Sequence, residues 1–128
     1  MASTRSARVR ITASFEADLG AIAAFLAEID AVHAYDALLT EIAEIVIPNL
    51  ERFPRMGRSF FSRHAGSVEA HEKAERLKLR IGDGELREYL SGDYLLLYAF
   101  MKKTVHLLAI RHHRQLSFDF ERLWLEGR

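Results

Sequence analysis

The chain has 128 residues, 49% of them apolar, with 2 Pro, 7 Gly and no Cys, and its formal net charge at pH 7 is zero. This is the size and composition of one folded domain, able to bury roughly two thirds of the surface it would expose unfolded. The lack of Cys excludes disulfides and thiolate metal sites, and no apolar run approaches the ~18 residues of a membrane span.

Residues 1–7 are rich in Ser and Arg and run directly into a strand pattern, so they are expected to be a disordered lead-in rather than a transit peptide. In the strand, Val9, Ile11 and Ala13 alternate with Arg8, Arg10 and Thr12. Ser14 is then offered as the N-cap of a helix with Glu16 and Asp18 in its first turn. Its stripe, Leu19, Ile22, Leu26 and Ile29, recurs every three or four residues. After a short break over Asp30 to His33, a second stripe follows at Tyr35, Leu38, Leu39, Ile42, Ile45, Val46 and Leu50. The two helices should form an antiparallel hairpin on one face of a sheet. Pro48 lacks a backbone donor and should kink or end the second helix. Phe53 to Gly57, FPRMG, reads as a turn.

Residues 59–84 read as a variable insertion, partly helical. From Ser67 to Ile81 the pairs Glu69/Lys73 and Glu72/Arg76 and an apolar face of Ala70, Ala74, Leu77 and Ile81 favour a helix ended by Gly82. A strand over Leu77 to Ile81 leading into a Gly82-Asp83-Gly84 hairpin is the competing reading. Beyond Gly84 three strands follow as a meander: Leu86 to Leu90, Tyr94 to Met101 and Thr104 to Arg111, joined at Ser91-Gly92-Asp93 and Lys102-Lys103. Leu116, Phe118, Phe120, Leu123 and Trp124 supply a short terminal helix, capped by Ser117. The predicted fold is α+β, one domain over residues 1–128. Its helical hairpin lies on one face of a mostly antiparallel sheet, and the other face is open for binding.

Charge is sorted along the chain. Glu16 to Glu51 holds eight carboxylates and no Lys or Arg, whereas Arg52 to Arg63 holds four arginines and no acid. From Tyr94 to Gln115 the charge is again purely basic. A molecule with one acidic and one basic side is expected, which bears on partners rather than on fold. The uncovered face and edge of the sheet should collect Arg8, Arg10, Arg87, Arg111 and His113, with Arg63 nearby. Guanidinium groups suit phosphate, and a histidine among them, held neutral by its cationic neighbours, suits proton transfer. The run Arg111-His112-His113-Arg114 is thus either a catalytic edge for RNA cleavage, a binding surface, or a solvated strand end. His112 and His113 point to opposite faces and cannot share a metal, and His33, His64, His71 and His106 have no ligand spacing; neither metal nor cofactor is expected.

The order and spacing of FEADLGAIAAFL, LERFPRMGR, LREYLSGDYLLLYAF and VHLLAIRHHR, from about Val9 to Trp124, resemble the RelE/ParE superfamily of toxins from bacterial type II toxin–antitoxin modules. The resemblance implies a cytoplasmic protein, without membrane attachment, that is neutralised by a cognate antitoxin in a hetero-oligomer. It implies one of two actions. RelE-like members are ribosome-dependent mRNA endoribonucleases, for which His113 would be the acid or base, with Arg87, Arg111 and Arg114 on the phosphate. ParE-like members inhibit DNA gyrase without being nucleases, and the apolar Leu95, where the nucleases often carry Arg, leans toward them. A non-toxic relic that only binds antitoxin is the third reading. Arg8, Arg10, Arg58, Arg63, Arg114 and His112 are the candidate RNA or partner contacts. An acidic antitoxin segment is expected over the basic edge at Arg87 and Arg111.

Overall fold

The computed structural model describes residues 6–60, 72, 75, 76, 82 and 84–112. Strand β1 (Arg8–Ile11) leads into helices α1 (Ala13–Glu28) and α2 (Val32–Glu41); a π-turn (Ile42–Val46) then continues α2 into α3 (Ile47–Arg52). Strands β2 (Arg58–Ser59), β3 (Glu85–Ser91), β4 (Tyr94–Met101) and β5 (Thr104–His112) complete one sheet of order β1-β5-β4-β3-β2. β1 pairs parallel with β5 and the remaining pairs are antiparallel, so the domain is α+β with a mixed sheet. Of the segment expected to be helical before Gly82, Glu72, Glu75 and Arg76 are described and all are helical. The competing strand over Leu77 to Ile81 and the expected terminal helix lie outside the described residues.

The core sits between the helices and one sheet face, where Leu38, Ile42, Val46 and Leu50 pack on Leu96, Tyr98, Val105, Leu107 and Ile110. These helical residues are four apart, the spacing that lays a single stripe along the axis. Just before Pro48 the α-helical run is interrupted by the π-turn but resumes. The turn widens so that the Ile47 N–H reaches the Ile42 carbonyl five residues back, and Pro48 opens α3 where its missing donor costs least.

Two local expectations are corrected. The N-cap of α1 is Thr12, whose extended backbone lets its hydroxyl accept from the Phe15 N–H. Ser14 lies inside the first turn and donates to the Leu108 carbonyl instead. Nor is the second sheet face open at its centre: Leu86, Leu97, Ala99 and Ala109 are buried there, as is Glu88. The run Leu95 to Phe100 is apolar at every position rather than alternating, which is the pattern of a strand covered on both faces.

Candidate functional site

Beyond Leu107 the β1 strand has ended, and α1 takes over the exposed edge of β5. Thr12 Oγ1 donates to the Leu107 carbonyl at 2.7 Å, Ser14 Oγ to the Leu108 carbonyl at 2.7 Å, and the Ile110 N–H donates to Asp18 Oδ2 at 3.0 Å. Three side chains of one helix start thus replace the missing strand, satisfying backbone groups that burial would otherwise penalise. A bulge at Leu108, left over between the pairs Leu97/Ala109 and Tyr98/Leu107, marks the same place. Asp18 is 1% exposed, and its other oxygen meets Arg111 Nη1 at 2.6 Å.

Above this ion pair lies a groove of about 820 Å³. One wall is α1, with Ile22, Phe25, Leu26 and Ile29; the opposite wall is α2, with Leu38 and Glu41. Asp93, Tyr94, Arg111 and His112 close its sheet end. The His112 ring stands edge-on to Tyr94, centroids 5.6 Å apart at 78°. Burial, and then the charge of Asp93, push the Tyr94 hydroxyl up, so it stays protonated. Glu41 accepts a hydrogen bond from Ser91 at 2.8 Å. At the hairpin tip Phe25, Ile29 and Val32 are 59, 56 and 55% exposed, a cluster of large apolar side chains that a monomer would ordinarily cover.

Among the described residues of the expected phosphate-binding cluster, Arg87 does not share a face with Arg8 and Arg10. Arg8 and Arg10 are exposed on edge strand β1, and register puts them on the face of Thr104, His106 and Ala99. Arg87 pairs with Tyr98 and therefore lies on the opposite, helix-bearing face. There its Nε and Nη2 bind Glu85 Oε1 at 3.1 and 2.9 Å, while Nη1 donates to the carbonyls of Arg55 and Gly57. Arg111 is held by Asp18, as described. Both guanidinium groups are thus spent on internal acceptors. Arg58 is exposed on β2. His113, Arg63 and Arg114 lie outside the described residues.

His106 faces Arg10 across the β1–β5 pair. Burial and then the Arg10 charge hold its imidazole below the usual range. At Glu85 burial opposes ionisation, but hydrogen bonds and charge from Arg55 and Arg87 outweigh it and hold the carboxyl below its ordinary value. Among the described residues no three of His, Asp and Glu converge as metal ligands, and no helix is long and apolar enough to cross a membrane.

Sequence reasoning missed Asp18, which reads as a first-turn acid favouring the helix dipole. The signal was its spacing: with Phe15 and Ile22 it falls on the buried face, where an acid needs a partner. It also missed Tyr98, whose hydroxyl donates to the Pro54 carbonyl at 2.8 Å and accepts from the Gly57 N–H at 3.0 Å.

Comparison with known families matches residues 9–117 to the ParE toxin of type II toxin–antitoxin system, parDE. Comparison with curated proteins returns no match.

Proposed function

The chain belongs to the ParE toxin family of type II toxin–antitoxin systems, whose members have an antitoxin partner, and on that premise we propose that it is a non-enzymatic inhibitor of DNA gyrase acting in the cytoplasm. The observation that carries this reading is the internal engagement of Arg87 and Arg111. A nuclease would need both guanidinium groups free to meet a phosphate, yet one ties β3 to the Phe53 to Gly57 turn and the other neutralises buried Asp18. Leu95, across from Arg111 on β4, supports it, since no cation replaces theirs at that position.

We further propose that the antitoxin binds the groove between α1, α2 and the end of β5, rather than the basic edge expected from sequence. The groove's helical walls are mostly apolar, and the carboxylates of Glu41 and Asp93 stand on its lining, Arg111 being paired with Asp18; this favours an antitoxin segment with apolar residues inward and a basic residue near those carboxylates.

Pulsed expression in a bacterial host separates the mechanisms. The proposal expects growth arrest with altered plasmid supercoiling and no new RNA 5′ ends. Codon-phased cuts in translated messages that vanish in His113→Ala would establish the endoribonuclease instead, and absence of arrest would leave only an antitoxin-binding relic.

A further inference from the structure

We propose that the turn Arg52 to Arg58 is a second, preorganised docking surface, and that its partner is an acidic protein surface on the toxin's target. This rests on the reading of the chain as a gyrase inhibitor and names the part of the molecule that makes the contact.

The turn is held with unusual thoroughness. The Phe53 N–H donates to the Asn49 carbonyl at 2.7 Å and the Met56 N–H to the Phe53 carbonyl at 3.0 Å. From the sheet, Tyr98 binds the Pro54 carbonyl and the Gly57 N–H, and Arg87 binds the carbonyls of Arg55 and Gly57. Gly57 is wedged so closely that an added Cβ would stand 2.5 Å from the Glu88 carbonyl oxygen and 2.7 Å from the Tyr98 hydroxyl. A buried tyrosine and an arginine are therefore both spent on fixing the backbone of a surface turn.

What that backbone presents is not what a solvated turn presents. Phe53 is 61% and Met56 44% exposed, and Arg52, Arg55 and Arg58 are exposed beside them. Large apolar groups flanked by guanidiniums, on a backbone that loses little freedom when bound, are the make-up of an interface centre. The arginines belong to a stretch, Arg52 to Arg63, that has no acid, so the complementary surface is acidic. Arg55 is partly satisfied by Glu85 at 2.7 Å and lies 5.1 Å from the Phe100 ring centroid, which leaves Arg52 and Arg58 as the better-placed cations. Exposed Phe and Met favour a protein partner over a nucleic-acid backbone, which would call for cations alone.

The position is also right for a second partner. The antitoxin groove ends at Tyr94 and the turn packs near Phe100, six residues along β4, or roughly 20 Å. Target and antitoxin would thus hold opposite ends of the same strand.

The test uses purified bacterial gyrase, relaxed plasmid and the full chain in three forms: wild type, Phe53→Ser with Met56→Ser, and Arg52→Glu with Arg58→Glu. All the altered side chains are exposed, so thermal melts should stay within a few degrees of wild type; Arg58→Glu alone serves if a double variant fails to fold. The expected result is that each variant needs at least tenfold more protein to halve supercoiling. Equal inhibition by folded variants and wild type overturns the inference. A plasmid mobility shift by the wild type without gyrase, lost in the variants, would assign the turn to DNA and overturn the protein partner. If the wild type leaves gyrase untouched, the gyrase reading falls and the same variants are judged by growth arrest: arrest lost supports a target-binding turn, arrest kept, or absent from the wild type, overturns it.

Discussion

At the scale of single residues, buried Asp18 ties α1 to the end of β5. Asp18→Ala would strip Arg111 of its buried counter-charge and the Ile110 N–H of its acceptor, costing about 3 kcal/mol or more in urea unfolding. A loss below about 1 kcal/mol would contradict that role. Tyr98→Phe removes the acceptor of the buried Gly57 N–H and the donor to Pro54, and should cost about 1–3 kcal/mol by the same measurement. His106 gives a prediction in pH. Its folded value lies below the unfolded value of about 6.5, so neutral imidazole contributes stability above about pH 6.5 that is lost as pH falls toward the folded value. An NMR titration should show the depressed midpoint, and Arg10→Gln should raise it part of the way, because burial is the larger cause; an unmoved midpoint would remove Arg10 from the account. These roles were only partly legible. Residue type and spacing identify Arg87 and Arg111 as notable, but whether a guanidinium faces a ligand or an internal carbonyl depends on β3–β4 register and on where α1 crosses β5, and neither is written locally.

At the scale of elements, the strands announced themselves best. β4 begins at Tyr94 and ends at Met101 as the apolar run does, because Gly92-Asp93 and Lys102-Lys103 punctuate it on both sides. Gly92 takes the positive φ of 57° its hairpin needs. Lys102 and Lys103 take φ values of 51° and 62° without being Gly, which costs a residue with a Cβ. Lys103→Gly should therefore stabilise the protein by about 1 kcal/mol, read as a higher urea midpoint at unchanged slope; a lower midpoint would show that the side chain is itself needed. The helical hairpin was legible from its stripes, but α2's π-turn was not, since Pro48 signals a disruption without saying whether a helix stops or widens. β2 was missed for a plainer reason: two residues, Arg58–Ser59, carry no periodicity, and their strand character comes from pairing with Glu88 and Arg87.

At the scale of the whole molecule, the acid-only segment from Glu16 to Glu51 forms the helical layer, and the arginine-only segment begins where that layer meets β2. Of these charges, Glu41 lines the groove and Arg52, Arg55 and Arg58 are exposed about the turn. Phe25→Ser with Ile29→Ser should weaken antitoxin binding at least tenfold by calorimetry while leaving the melt nearly unchanged, because both side chains are already mostly exposed. Unaltered affinity would move the antitoxin elsewhere. The most direct measurement is supercoiling of relaxed plasmid by purified gyrase, titrated with the protein alone and with its antitoxin added. Inhibition that saturates near gyrase stoichiometry and is relieved by the antitoxin is the predicted result. Full supercoiling in excess toxin, with fresh codon-phased RNA ends in cells expressing it, would contradict it.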